Sequence, residues 1–147
     1  MKIISHRGNL TGPKSCVENH PESLHTALLM GFMVEVDIHV LGSDVYLGHD
    51  GPQFDMDFSL LGDENCIFHA KNLAALDYLM DLGVHCFWHQ EDQVTITNKG
   101  KIWCYPGTQL VSPRAIHLDF NQRIDMPFSG WGICTDYPLH YETLETK

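Results

Sequence analysis

From Met33 to Val40 apolar and polar side chains alternate residue by residue, with Val34, Val36, Ile38 and Val40 on one side and Glu35, Asp37 and His39 on the other. A period of two is the signature of a β-strand with two unlike faces. Shorter apolar runs at Lys2–Ser5, Val45–Leu47, Cys66–Lys71, His85–His89, Ala115–Phe120 and Gly132–Thr135 also read as strands. Val94–Thr97 and Lys101–Tyr105 flank Asn98-Lys99-Gly100, the pattern of a hairpin with a glycine turn. Helical spacing appears twice. After Pro21-Glu22-Ser23 it runs through Leu24, Ala27, Leu28 and Phe32, with Gly31 as a stop signal. After Asn72, a good N-cap, it runs through Leu73, Leu76, Leu79 and Met80 and ends at Gly83.

The first half therefore reads strand–helix–strand twice over, which predicts parallel β/α units. Beyond residue 90 helical periodicity fades and strands, a hairpin and loops are expected. With 147 residues the chain suits one domain over 1–147. Nine Lys plus Arg against 19 Asp plus Glu give a formal charge of −10, which disfavours nucleic acid and anionic membranes as partners. No run approaches the ~20 apolar residues of a membrane span. The start, Met-Lys-Ile-Ile-Ser-His, lacks the apolar region of a signal peptide, so a cytoplasmic location is expected. Five scattered cysteines without a CxxC pair read as reduced thiols. Ten histidines are many for this length, and only their positions can give them meaning.

Three local features carry candidate chemistry. Two carboxylates on one strand face, Glu35 and Asp37, are costly to bury without a cation, and a hard divalent ion such as Mg²⁺ or Ca²⁺ is the usual partner of clustered carboxylate oxygens. The same alternation equally fits a strand with its polar face in water. His6-Arg7-Gly8 ends the first strand: Arg offers a planar fork for phosphate oxygens and His moves protons near neutral pH. By itself the triplet also fits an ordinary surface loop. His49-Asp50, beside Gly48 and Gly51, fits either an oriented imidazole or a turn.

Taken in order, His6-Arg7-Gly8, Glu18-Asn19, a helix ending at Gly31, Glu35-Val36-Asp37-Ile38-His39 and Gly48-His49-Asp50 resemble the glycerophosphodiester phosphodiesterase family, a branch of the phospholipase C-like barrels. Lys71-Asn72 at a strand end and Cys134-Thr135-Asp136-Tyr137-Pro138 at the last strand extend the resemblance. It implies His6 and His49 as an acid–base pair, Arg7 and Lys71 on the phosphate, Glu35 and Asp37 on a metal ion, and Glu18 assisting that ion. Asn19 would shape the same loop, and with His39, Trp88 and His89 it completes the expected substrate-binding set. The expected cofactor is a divalent ion, Mg²⁺ or Ca²⁺ first.

Two departures qualify the pattern. The family places a further metal-binding Glu two residues before the Lys of the third strand, and here His69 stands there. An imidazole ligand favours Mn²⁺ or Zn²⁺; alternatively His69 only hydrogen-bonds to Asp37 or to substrate, and Glu91 or Asp119 replaces it. The chain is also far shorter than the ~250 residues of a usual (β/α)₈ barrel. The expectation is an α/β fold: a compressed or incomplete TIM-type (β/α) barrel with helices missing in the C-terminal half, the bare flank covered in a homodimer. The expected activity is hydrolysis of a small phosphodiester, of a glycerol or a sugar or polyol. A non-catalytic phosphate- or sugar-binding descendant and a lyase forming a cyclic phosphate are the alternatives.

Overall fold

The computed structural model describes residues 1–125 and 128–145. Its elements are β1 (Lys2–His6), α1 (Pro21–Leu29), β2 (Met33–Leu41), β3 (Asp44–Leu47), β4 (Phe54–Asp55), β5 (Cys66–Ala70), α2 (Leu73–Asp81), β6 (Cys86–Trp88), β7 (Val94–Ile96), β8 (Ile102–Cys104), β9 (Ala115–Leu118), β10 (Gly132–Thr135) and α3 (Pro138–Glu145), with a 3₁₀ turn at Phe58–Gly62. The fold is mixed α/β: ten strands in one curled sheet, and three α-helices among the described residues.

Strands β6, β5, β2, β1, β10, β9 and β8 follow one another as an unbroken parallel run. β3 and β7 attach antiparallel to β2 and β8, and β4 attaches to β3. β6 and β7 stand side by side: Asn98 N donates to Cys86 O at 3.0 Å and Thr95 Oγ1 to Trp88 O at 2.8 Å.

Alternation along the parallel strands sorts the side chains into two layers. Ile4, Met33, Ile67, Phe87, Trp103, Ile116, Leu118 and Cys134 cluster on the concave face. Val34, Val36, Ile38, Cys66, Phe68 and Ala70 point the other way and pack with Leu24 and Ala27 of α1 and Ala75 and Leu79 of α2. β2 is thus buried on both faces, which is why its carboxylates are inside rather than in water. The helices begin as their sequences dictate. The His20 ring accepts from Glu22 N at 3.2 Å ahead of Pro21, and Asn72 Oδ1 accepts from Ala75 N at 2.8 Å. Asn72 Nδ2 also donates to Val40 O at 2.9 Å, tying α2 to the end of β2.

Several sequence expectations need correcting. The C-terminal half is not free of helix: α3 follows Pro138 and buries Tyr141 against Ile3, Phe32 and Ile133. In α2 the buried positions are Ala75 and Leu79, whereas Leu73 and Met80 are 71% and 51% exposed. Ala75 and Leu79 make the contact with the sheet, and Leu76 and Tyr78 pack at its edge. β4 and the 3₁₀ turn occupy a stretch that carries no recognisable period. No helix among the described residues is long and apolar enough to cross a membrane.

Gly8 shapes the entry to the site. It follows β1 with φ of 80°, and a Cβ there would lie 2.9 Å from the backbone carbon of Ser23 at the start of α1. Gly42 has φ of 63° with open space around it. Gly8→Ala is therefore expected to cost about 1–3 kcal/mol more than Gly42→Ala, the overpacking penalty added to a shared left-handed strain. Urea unfolding of the two variants checks this, and equal costs would mean that the Gly8 contact relaxes freely.

Candidate functional site

In a parallel sheet all strand C-termini emerge at one end, and side chains there converge across neighbouring strands. Here β1 delivers His6, β2 delivers Glu35 and Asp37, β5 delivers His69 and then Lys71, and β10 is followed by Asp136. Register completes the arrangement: His6 pairs with Glu35 across β1–β2, and Asp37 with His69 across β2–β5. The resulting cleft has a volume of about 820 Å³, and its lining includes His6, Arg7, Glu18, Glu35, His49, His69, Lys71 and Asp136.

Asp37 is the centre of charge. Its side chain is fully buried, yet it meets Arg7 Nε at 3.0 Å, His69 Nδ1 at 3.2 Å and Lys71 Nζ at 3.7 Å. Asn19, itself fully buried, grips the same residue twice: Nδ2 donates to Asp37 Oδ2 and Asp37 N donates to Asn19 Oδ1, both at 2.9 Å. Burial alone would raise the Asp37 pKa, but the His69, Arg7 and Lys71 contacts overcome it and hold the carboxyl below its ordinary range. For His69, burial favours the neutral ring, whereas Asp37 and Glu35 at 3.2 and 3.4 Å raise its pKa overall. The Arg7 guanidinium also contacts Glu18 at 3.2 Å. It is raised in pKa, burial being outweighed by Asp37, Glu35 and Glu18. Arg7 and Asn19 adopt left-handed backbone, with φ of 55° and 60°. The loop between them closes through Asn19 N to Arg7 O at 2.9 Å.

Glu35, Asp37 and His69 form a possible metal-binding group, one ligand atom from each lying within 4.8 Å of the others. The Nδ1–oxygen distances of 3.2 and 3.4 Å match neighbouring vertices of a coordination shell. Ligands ~2.1 Å from an ion at tetrahedral or octahedral angles stand roughly 3.0–3.5 Å apart. Glu35 Oε2 and His69 Nε2 are buried without hydrogen-bond partners, and Asp37 Oδ1 has ionic contacts with His69 Nδ1 and Lys71 Nζ but no well-aligned hydrogen bond, so the two carboxylate oxygens have lone pairs to offer. This donor set fits a divalent ion, and its nitrogen favours Mn²⁺ or Zn²⁺.

The other residues expected from the sequence fall in different places. Glu18 accepts from Arg7 and, at 2.9 Å, from Asn9 Nδ2, outside the three-residue group. His49 lines the cleft with Nδ1 2.7 Å from Asp50 Oδ1. His39 contacts His49 O at 3.4 Å and, like Asn19 and Trp88, does not line the cleft. Trp88 belongs to the layer under the helices. His89 does line the cleft, stacked on Tyr105 with ring centroids 3.6 Å apart. Behind His69, Phe87 and Trp103 continue a stack at 4.5 Å spacings. Glu91 lines the cleft mouth, whereas Asp119 is bonded to Tyr141 and to the backbone N–H groups of Asn121, Arg123 and Ile124.

Asp136 and Asn9 received no role in the sequence reading. Asp136 lies 2.7 Å from His6 Nδ1, and Asn9 bonds both Asp136 and Glu18. The position of Asp136 directly after a parallel strand was the available signal. For Asn9 there was none, because its partners become neighbours only when the sheet curls.

Removing Asp37 leaves Arg7, Lys71 and the His69 ring without the anion they share, so Asp37→Ala is expected to lose about 3–5 kcal/mol of stability. The pH dependence follows from the depressed pKa. Asp37 contributes fully above the ordinary aspartate range, and that contribution fades as pH falls through the folded value. The stability gap between wild type and Asp37→Asn should accordingly narrow in acid, as urea titrations across pH would show. A scan against protein-family models, a search of curated proteins and a search of solved structures each find no match to this chain.

Proposed function

We propose that the protein is a metal-dependent phosphodiesterase acting on a small phosphodiester of a glycerophosphodiester or a sugar or polyol. The observation that supports this most is convergence. Two members of the candidate metal group, Glu35 and His69, line one cleft together with two histidines, His6 and His49, and two cations, Arg7 and Lys71, while Asp37 completes the group from just beneath the cleft surface. The same reading takes the curled sheet as a compressed (β/α) barrel, supported by the β6–β7 hydrogen bonds at its ends.

Glu35, Asp37 and His69 would hold the ion. A bound divalent ion supplies Lewis-acid polarisation of a phosphate oxygen. The chain's own groups do the rest. Lys71, reaching the cleft beside Asp37, offsets phosphate charge. Arg7 keeps Asp37 and Glu18 in place while facing the same cleft. One of His6 and His49 takes the proton of the attacking hydroxyl and the other protonates the leaving oxygen. Imidazole suits both tasks because it gains and loses a proton near neutral pH. The aromatic wall of His89, Tyr105, Trp103 and Phe120 offers flat apolar surface to the alcohol part of the substrate.

A second reading, a non-catalytic binder of the same phosphate chemistry, is favoured by one observation: Arg7 and Lys71 already pair with Asp37. The homodimer, as part of the proposal, would cover exposed apolar side chains such as Ile96 and Val111, at 71% and 88%.

The test is hydrolysis of bis-para-nitrophenyl phosphate after chelation and re-addition of Mg²⁺, Ca²⁺, Mn²⁺ or Zn²⁺. Turnover restored by Mn²⁺ or Zn²⁺ and absent in Asp37→Ala is expected; His6→Ala and His49→Ala should each lose ~10²–10⁴-fold in rate. A folded protein that binds metal but turns over no diester would favour the binding reading. Release of a cyclic phosphate from a glycerophosphodiester would identify the lyase. Exchanging His69 for Glu makes the donor set all-oxygen, so His69→Glu should shift the ion preference towards Mg²⁺ or Ca²⁺, as metal titration would show.

A further inference from the structure

His6 closes β1, and Asp136 follows β10, its parallel neighbour; the preceding residues, Ser5 and Thr135, are partners in register. This carries the two side chains to the same height, with His6 Nδ1 2.7 Å from Asp136 Oδ1 and side-chain exposures of 12% and 8%. Asp136 is itself fixed. Its carbonyl accepts from Gly12 N at 2.8 Å, and its Oδ1 accepts from Asn9 Nδ2 at 2.8 Å. Asn9 is oriented in turn, because its Oδ1 accepts from Lys14 N at 3.2 Å and only its NH₂ group can face the carboxylates.

An ionised carboxylate accepts and does not donate. Burial pushes the Asp136 carboxyl up, but the His6 hydrogen bond and charge, Asn9 and Arg7 hold it below its ordinary range. The hydrogen of the His6–Asp136 contact therefore sits on His6 Nδ1. The other ring nitrogen, Nε2, lies 3.8 Å from Glu35 Oε2, on the side of the fitted metal group. Phe120, with its centroid 4.7 Å away, packs against the ring.

We propose that Asp136 is a positioning residue: it holds His6 in the Nδ1–H form, so that Nε2 is the atom that exchanges a proton with substrate, and Asn9 holds Asp136 in place. The catalytic half of this proposal rests on the phosphodiesterase reading above, whereas the ring assignment does not. In Asp136→Ala no carboxylate faces Nδ1, so the hydrogen is no longer held there and moves to Nε2, leaving an N–H instead of a lone pair on the side of the cleft.

The test combines long-range ¹H–¹⁵N correlation spectra of the histidine rings with steady-state hydrolysis of bis-para-nitrophenyl phosphate. His6→Ala identifies the His6 signals. Wild type is expected to show a protonated, hydrogen-bonded Nδ1. Asp136→Ala should show mainly the Nε2–H ring and a kcat lower by roughly 10²–10⁴-fold, with KM nearly unchanged. Asp136→Glu should recover part of the rate and the original ring form. An unprotonated Nδ1 in wild type, a measurement that needs no variant to fold, would overturn the proposal. So would an Asp136→Ala protein with wild-type ring form and rate. The expected ring form in a wild type that turns over no diester with any metal would instead overturn the phosphodiesterase reading, and the catalytic role of Asp136 with it.

Discussion

The site depends on keeping the carboxylate of Asp37 ionised where water does not reach. An isolated buried anion would cost far more than one hydrogen bond returns. Here the cost is spread over Arg7 from the β1 loop, Asn19 from the loop before α1, and His69 and Lys71 from β5 and its end. Four residues from three segments are thus committed to one side chain, and Arg7, His69 and Lys71 also line the cleft. The geometry of the site and the packing of the sheet are consequently one problem. A shift in β2 register would carry Asp37 and Glu35 to the helix-facing layer and set Val36 among the cations.

Charge and apolar packing are stacked along the same strands. The lower residues on the concave face, including Ile4, Met33, Ile67 and Ile116, form an apolar floor. The next inward-pointing residues on β1, β2 and β5 are His6, Glu35, Asp37 and His69. The floor excludes water from beneath the ionised layer, which strengthens the interactions within it. Two further stacks stiffen the wall: His69, Phe87 and Trp103 on one side and His6 with Phe120 on another. The imidazole rings are therefore held by packing as well as by hydrogen bonds.

Much of this was legible in the sequence because it is periodic or adjacent. The alternation around Glu35 and Asp37 announced a strand with unlike faces. Asn72 announced a helix start, and His6-Arg7-Gly8 lay at the end of an apolar run. What stayed hidden depends on pairing between distant segments. Nothing local shows that Asp37 faces His69, or that Asp136 reaches back 130 positions to His6. α3 was missed because its only buried residues are Pro138 and Tyr141, too few for an apolar stripe. Leu73 and Met80 followed helical spacing but point outward, since Ala75 and Leu79 form the contact with the sheet.

The apolar floor has one more consequence. With Trp103 and Ile4 filling the lower interior of the sheet, the cleft is a blind basin rather than a tunnel through the sheet, so what enters it leaves on the side by which it came.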